Sequence, residues 1–167
     1  MKIIKSPGLA AAAIRDTGLV WAGYYGKKDK YEKVNDKTLF MLASVSKTIV
    51  VVAVMQLEEK GLIKLDDDIS DYLDFTVRNP RYPDKKITFR HLLTHHSSIK
   101  DRQPFHSFTY TVFSGGGDSP ITLKKIITSY FSPDGNHFSK RNFRNKPPGA
   151  EYTYSNMAVS LLGYLVE

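Results

Sequence analysis

Two residues at the start of a long apolar segment have the types and spacing needed for nucleophilic chemistry. Ser44 and Lys47 form an S-x-x-K pattern, and on a helix this spacing places the hydroxyl and the amine one turn apart on the same face. A serine hydroxyl is a weak nucleophile until a neighbouring base accepts its proton, and a lysine amine serves as that base when its pKa is lowered. Burial in an apolar helix has this effect, so Ser44 is a candidate nucleophile and Lys47 its candidate base.

The S-x-x-K spacing alone does not establish catalysis. It occurs again between Ser97 and Lys100, but there it leads into a polar segment, whereas Ser44 opens the most apolar predicted helix. A structural interpretation also fits the first pair, with Ser44 as a helix cap and Lys47 extending its amine from the apolar helix towards water. Both interpretations stay open at this point.

A second polar pattern, Y-x-N, occurs once in the chain, at Tyr154 and Asn156. A tyrosine hydroxyl can pass a proton between a nucleophile and a leaving group, and an asparagine two residues later can hold the amide or carbonyl of a substrate. The structural alternative is that Ser155 or Asn156 caps the last helix while Tyr152 and Tyr154 pack as aromatic anchors. Only the catalytic interpretation requires Tyr154 to lie beside Ser44.

The elements that must position these residues define an α/β (α+β) fold class. Gly8–Arg15 and Leu19–Tyr25 are rich in small, β-branched and aromatic residues and predict an N-terminal antiparallel hairpin. Val45–Lys60 contains a β-branched run that locally favours a strand, but it is far longer than the typical strand of about 5–6 residues. We therefore predict a central helix there, buried on nearly every face and ended by Gly61.

A helical region is predicted to follow the central helix. Thr88–Thr94 has the pattern of a short helix capped by Thr88, and further helices are predicted at Ile121–Tyr130 and Ser155–Val166. Asp101–Pro120 lacks periodicity and is predicted to be a loop or lid. Pro147-Pro148-Gly149 predicts a rigid turn before the Y-x-N pattern.

Composition narrows the classes of function. The 167 residues are 41% hydrophobic and 25% charged, which suits one globular domain. The absence of cysteine excludes disulfides and thiolate catalysis, and no apolar run approaches the ~20 residues of a membrane span. A net charge of +7 is spread along the chain without a nucleic-acid-binding module, so no nucleic-acid partner is predicted. His91 and His95 have the spacing of metal ligands but lack a third ligand, so no metal or cofactor is predicted.

Four stretches resemble, in the same order, the serine β-lactamase and penicillin-binding-protein family. The resemblance is nearest to the branch of class C β-lactamases, D-alanyl-D-alanine carboxypeptidases and esterases. The matching stretches are Thr38–Lys47, Leu57–Gly61 with Leu65–Asp68, His91–Ile99, and Pro148-Gly149 followed by Tyr154-Ser155-Asn156.

This resemblance implies a role for each candidate residue. Ser44 is the nucleophile that becomes acylated, Lys47 is its base, Tyr154 is the proton relay and Asn156 is a substrate contact. The backbone N–H of Ser44 forms half of the oxyanion hole. The implied substrates are esters, amides or β-lactams.

The chain also departs from the family pattern. Class C enzymes usually have Glu-x-Gly before the nucleophile, where this chain has Met41-Leu42-Ala43. Ser98 lies in the His91–Ile99 stretch, the histidine motif, at the position where the family usually has glycine. This predicts a strained turn if that position needs a positive φ.

The third family motif, a K-[ST]-G or H-x-G sequence, has no match in residues 1–167. The chain is therefore interpreted as the N-terminal part of a single serine β-lactamase-like domain, with the C-terminal strands and third motif absent. The missing half is then a possible complement. The alternative function is a non-catalytic, truncated or split fragment of such an enzyme.

Overall fold

The computed structural model describes residues 6–103, 105, 109 and 119–167. The chain divides into two compact units, Met1–Ala43 and Ser44–Glu167. Most of the predicted loop or lid at Asp101–Pro120 lies outside the described residues.

The first unit contains the predicted hairpin. Strand β1 (Gly8–Arg15) pairs antiparallel with β2 (Gly18–Gly26), from Gly8 opposite Gly26 to Arg15 opposite Gly18. Asp16 lies in the connecting turn with φ 57°, a left-handed conformation that aspartate tolerates better than most residues. The hairpin prediction is confirmed, and β2 extends one residue beyond the prediction at each end.

The second unit begins with the S-x-x-K segment. A 3-10 turn at Ala43–Ser46 leads directly into helix α1 (Lys47–Glu59). Gly61 follows with φ 70° and donates its N–H to the Glu58 carbonyl, while the N–H of Leu62 reaches the Leu57 carbonyl. These two bonds form a Schellman motif, so the predicted glycine stop is confirmed.

The burial of α1 differs from the prediction. Val54 is its one fully buried side chain, whereas Ile49 and Val52 are 67% and 56% exposed. Helix α1 packs against the C-terminal helix α4 (Asn156–Val166) along one face. The apolar residues of a helix indicate which of its faces can be buried. Which faces are buried depends on the helices and strands that pack against them.

Helix α4 lies at the centre of the second unit. It packs against α1 and against two further helices, α2 (Phe89–Leu93) and α3 (Leu123–Phe131). The shared core consists of apolar side chains from all four helices and their connections, among them Val54, Ile69, Phe89, Leu92, Ile127, Phe131, Phe143, Leu161 and Leu162.

The predicted helix caps are present. The side chain of Thr88 accepts a hydrogen bond from the His91 N–H, and the His91 ring accepts one from the Thr88 N–H, which completes a capping box. Ser155 caps α4 by accepting from the Ala158 N–H at 3.1 Å. Helix α4 therefore begins at Asn156, directly after its cap Ser155.

A buried asparagine ties the histidine motif to the segment before α4. The Asn79 side chain is fully buried, and its amide donates to Ser98 Oγ at 3.1 Å and to the Arg144 and Lys146 carbonyls at 2.9 and 3.2 Å. Ser98 has φ 64°. The position therefore does need a positive φ, which was the condition for the predicted strained turn. The hydroxyl of Ser98 accepts a hydrogen bond from Asn79.

We expect Asn79→Ala to lower the free energy of unfolding by about 1–3 kcal/mol, because it removes the fully buried amide that donates to the buried Ser98 hydroxyl and to two backbone carbonyls. Urea denaturation measures the change. The exposed Asn136 is the matched control, and Asn136→Ala should change stability by less than about 0.5 kcal/mol. Equal effects of the two variants contradict the role assigned to Asn79.

Candidate active site

Three predicted catalytic side chains meet at one point. The Lys47 Nζ donates to Ser44 Oγ at 3.0 Å, and the Tyr154 hydroxyl donates to the same oxygen at 2.9 Å. Tyr154 lies 110 residues from Ser44 in the chain, so the contact results from the tertiary fold. The helix-cap and aromatic-anchor interpretations do not require this convergence, whereas the catalytic interpretation does.

The local backbone explains why Ser44 and Lys47 touch. Ser44 lies in the 3-10 turn and Lys47 is the first residue of α1. A 3-10 turn has about 3.0 residues per turn, so side chains three residues apart eclipse one another. The contact forms at the N-terminal end of α1, where backbone N–H groups and the helix dipole favour negative charge.

Ala43, the residue before the nucleophile, has φ 46°. This left-handed conformation costs an L-residue with a Cβ roughly 1–2 kcal/mol. The family resemblance implies that Ala43 occupies the position where class C enzymes usually have glycine. Backbone strain therefore lies immediately next to the candidate nucleophile.

His95 positions the backbone on both sides of Tyr154. Its carbonyl accepts the Thr153 N–H at 2.7 Å, and its ring Nδ1 accepts the Ser155 N–H at 3.3 Å. The rings of His95 and Tyr154 lie 4.6 Å apart between centroids. From the sequence His95 was considered only as a metal ligand, although it lies inside the histidine stretch that supports the family resemblance.

The charges around Tyr154 favour release of its proton. Lys47 and then Ser44 can donate hydrogen bonds to the deprotonated hydroxyl, and this stabilisation of the phenolate holds the pKa of Tyr154 below its ordinary value. The Lys47 Nζ also lies 5.2 Å from the centroid of the Tyr154 ring. Both Lys47 and Tyr154 can thus accept the Ser44 proton when they are deprotonated.

Asn156 is the first residue of α4, and its side-chain amide donates to Asp101 Oδ2 at 2.7 Å. Asp101 also accepts the Asn156 N–H, the Met157 N–H and the Ser155 hydroxyl, at 2.8–2.9 Å. The orientation of Asn156 is therefore set by Asp101, a residue that no sequence pattern singled out. The role of Asn156 as a substrate contact stays a prediction.

Burial alone raises the pKa of a carboxyl group, and Asp101 is partly buried. The hydrogen bonds from Met157, Asn156 and Ser155 outweigh this effect and hold the pKa of Asp101 below its ordinary value. The carboxylate is therefore the form that fixes the start of α4.

The site is an open surface cluster, since the Tyr154 side chain remains 44% exposed. A cavity of about 500 Å³ lies elsewhere, beside α3, and the residues that line it include Phe105, Ile126 and His137. None of the three converging side chains lines that cavity. Within the described part of the chain, no group of three or more metal-ligating side chains is arranged to hold an ion.

A family model for beta-lactamases matches residues 1–167. The chain belongs to the beta-lactamase family. Beta-lactamase-like protein 4 of Dictyostelium discoideum is 31% identical over 154 residues, which cover 87% of this chain and 24% of that relative. The chain thus spans about a quarter of that relative's length.

Solved structures show the same fold. The octameric penicillin-binding protein homologue from Pyrococcus abyssi has a TM-score of 0.76 at 24% identity, over 98% of this chain and 35% of its own. EstCE1, described as a hydrolase with promiscuous acyltransferase activity, has a TM-score of 0.70 at 25% identity, over 95% and 41% of the two chains. The predicted partial β-lactamase/transpeptidase-like fold is confirmed. In the regions that the structure describes, no helix is long and apolar enough to cross a membrane.

We expect Ala43→Gly to raise the free energy of unfolding by a few tenths to about 1 kcal/mol, because relief of the left-handed strain exceeds the entropy that glycine loses on folding. Thermal and urea denaturation measure the change. Ala53→Gly, in the interior of α1, is the control and should lower stability by about 1 kcal/mol. If both variants lose stability equally, position 43 is not strained.

We expect Asp101→Asn to lower the free energy of unfolding by about 1–3 kcal/mol at pH 7, because an amide cannot accept all four hydrogen bonds. A carboxyl whose pKa is lowered by folding stabilises the protein above its unfolded pKa, and this contribution disappears as the pH falls through the folded pKa. The difference between Asp101→Asn and the wild type should therefore shrink below about pH 4. Urea denaturation at several pH values tests this, with the exposed Asp134→Asn as control; a pH-independent difference contradicts it.

Proposed function

We propose that this protein is a serine hydrolase that acts through an acyl-enzyme intermediate on an ester, amide or β-lactam. The observation that carries the proposal is the approach of both Lys47 Nζ and the Tyr154 hydroxyl to Ser44 Oγ, within 3.0 Å. A nucleophile in contact with two groups able to exchange its proton is the arrangement that acyl transfer needs. Membership of the beta-lactamase family and the likeness to EstCE1, described as a hydrolase, support it.

The proposed reaction begins with proton transfer from Ser44 to Lys47 in its neutral form. Ser44 Oγ attacks the carbonyl carbon of the substrate, and the carbonyl oxygen becomes an oxyanion near the Ser44 N–H at the start of α1. Tyr154 passes its proton to the leaving group as the scissile bond breaks, and the Lys47 ammonium returns the Ser44 proton to Tyr154, which restores the neutral amine. Water then attacks the acyl-Ser44 ester, which releases the acid and restores the serine hydroxyl.

The same three residues serve an ester, an amide and a β-lactam, since each substrate presents a carbonyl carbon to the nucleophile. Specificity for one of these substrates depends on the residues around Ser44. We propose that Asn156 holds the amide or carbonyl of the substrate, with its side chain oriented by Asp101. The amide of asparagine can both donate and accept a hydrogen bond, which suits this task.

We also propose that residues 1–167 are the N-terminal part of a single domain and that the third family motif belongs to its complement. The chain covers 24–41% of the relatives described above. Apolar side chains on α1 such as Ile49 and Val52 are exposed, as expected for a helix whose other neighbours lie outside this chain. On its own the chain is then a non-catalytic or weakly reactive fragment.

We expect a longer form that carries a third motif to be acylated at Ser44 by a fluorophosphonate or a penicillin. The 167-residue chain should react about 10²–10³-fold more slowly, because one missing oxyanion donor has an effect of that size. Mass spectrometry of the intact protein and of its peptides measures the label. Ser44→Ala should abolish the label in both forms.

Ser46→Ala is the matched control, because Ser46 lies in the same turn and is not one of the converging residues. This variant should be labelled like the wild type. Label that persists in Ser44→Ala identifies a different nucleophile. Efficient labelling of Ser44 in the 167-residue chain refutes the proposal that the chain is a fragment, without affecting the proposed nucleophile.

A further inference from the structure

His95 contacts Tyr154, the candidate proton relay, and the residues on both sides of it. The proposed mechanism gives His95 no task. It binds the backbone N–H groups of Thr153 and Ser155, which flank Tyr154, and its ring lies against the Tyr154 ring. The Tyr154 hydroxyl then reaches Ser44 Oγ at 2.9 Å. No other described residue binds the backbone on both sides of Tyr154.

The hydrogen bond from Ser155 determines the chemical form of the His95 ring. A backbone N–H donates to Nδ1, so Nδ1 carries no proton and the hydrogen of the neutral ring lies on Nε2. The neighbouring His96 is the opposite case, because its Nδ1 lies 2.8 Å from the Thr94 carbonyl and must donate to it. A second proton on His95 would place an N–H against the Ser155 N–H, and the two donors would repel.

We propose that His95 is a positioning residue whose neutral ring holds Tyr154 against Ser44, and that protonation of this ring disconnects the proton relay. The inference rests on the proposed function, since it concerns the same site. It assigns to His95 a task that is distinct from metal binding and from direct contact with substrate.

The surroundings of His95 keep its ring neutral near neutral pH. Partial burial and then the positive charge of Lys47 lower the pKa of His95 below its ordinary value near 6.5, and Asp101 opposes them. The titratable groups that face the ring come from α1, from its own segment and from the segment before α4; they are Lys47, His96, Asp101, Tyr152 and Tyr154. A fall in pH therefore adds a positive charge to a ring that lies near both Lys47 and Asp101.

Nitrogen-detected NMR of the 167-residue chain tests the ring state without any enzymatic activity. We expect His95 to carry its proton on Nε2 at pH 7.5 and His96 to carry its proton on Nδ1. The Ser155 amide resonance should shift during acid titration with the same midpoint as the His95 ring. The proposal is overturned by a proton on His95 Nδ1 at pH 7.5. It is also overturned if the Ser155 amide resonance does not shift as His95 titrates.

Two variants distinguish the effect of the hydrogen-bond acceptor of His95 from the effect of its aromatic ring. His95→Asn keeps a carbonyl acceptor, cannot be protonated, and uses a residue that tolerates the φ of 58° at this position. His95→Phe keeps an aromatic ring but has no acceptor. In the form that is acylated at Ser44, we expect His95→Asn to react within about threefold of the wild-type rate at pH 7.5, and His95→Phe to react about 3- to 10-fold more slowly.

The decisive measurement is the ratio of the wild-type acylation rate to the His95→Asn rate as a function of pH. Titration of the probe affects both proteins equally and cancels in this ratio. The ratio should be constant between pH 7 and 8 and fall at least about threefold once the pH lies below the midpoint at which the His95 ring titrates in the NMR experiment. His96→Asn is the matched control, and the corresponding ratio for it should not change with pH.

A ratio for His95→Asn that stays flat through the measured midpoint of the His95 ring overturns the inference even if Ser44 is acylated normally. Absence of acylation at Ser44 in every form refutes the proposed function instead. If His95→Asn fails to fold, as judged by circular dichroism, the NMR titration of the wild-type chain decides the question alone. Failure of the inference on His95 is thus distinguishable from failure of the proposed function.

Discussion

The pairing of residues 95–101 with residues 142–157 is the constraint on which the site depends. Backbone hydrogen bonds join the two stretches from Gly149 to His96, from Thr153 to His95, and from Arg144 to Ser98. Asp101 completes the pairing at the start of α4 by accepting four hydrogen bonds. This pairing holds Tyr154 in place, whereas Ser44 and Lys47 need only the turn that begins α1.

The two halves of the site therefore differ in physical character. Ser44 and Lys47 are brought together locally, by a 3-10 turn that aligns side chains three residues apart. Tyr154 is positioned by long-range contacts: His95 binds the residues on both sides of it, and Asp101 fixes the start of the helix that follows. Hydrogen bonds of this kind position a side chain closely because unpaired buried groups are costly.

Local signals in the sequence predicted the elements well, because they depend on neighbours in the chain. The glycine stop of α1, the capping box of Thr88 and the left-handed Ser98 are each determined within a few residues. Motif types and order also indicated Ser44, Lys47 and Tyr154. The sequence did not indicate the tasks of His95 and Asp101, because these depend on which distant backbone groups the fold brings to them. The exposure of α1 was missed because burial depends on the elements that cover a helix.

The distance along the chain between Ser44 and Tyr154 has a kinetic consequence. A contact across 110 residues closes a long loop, and the entropy of that closure must be overcome before the contact forms. The 3-10 turn and α1 form on a local scale, so a nascent or partly unfolded chain contains Ser44 and Lys47 without the tyrosine. The convergence of Ser44, Lys47 and Tyr154 therefore depends on the long-range pairing of residues 95–101 with residues 142–157, and it is complete only in the native structure.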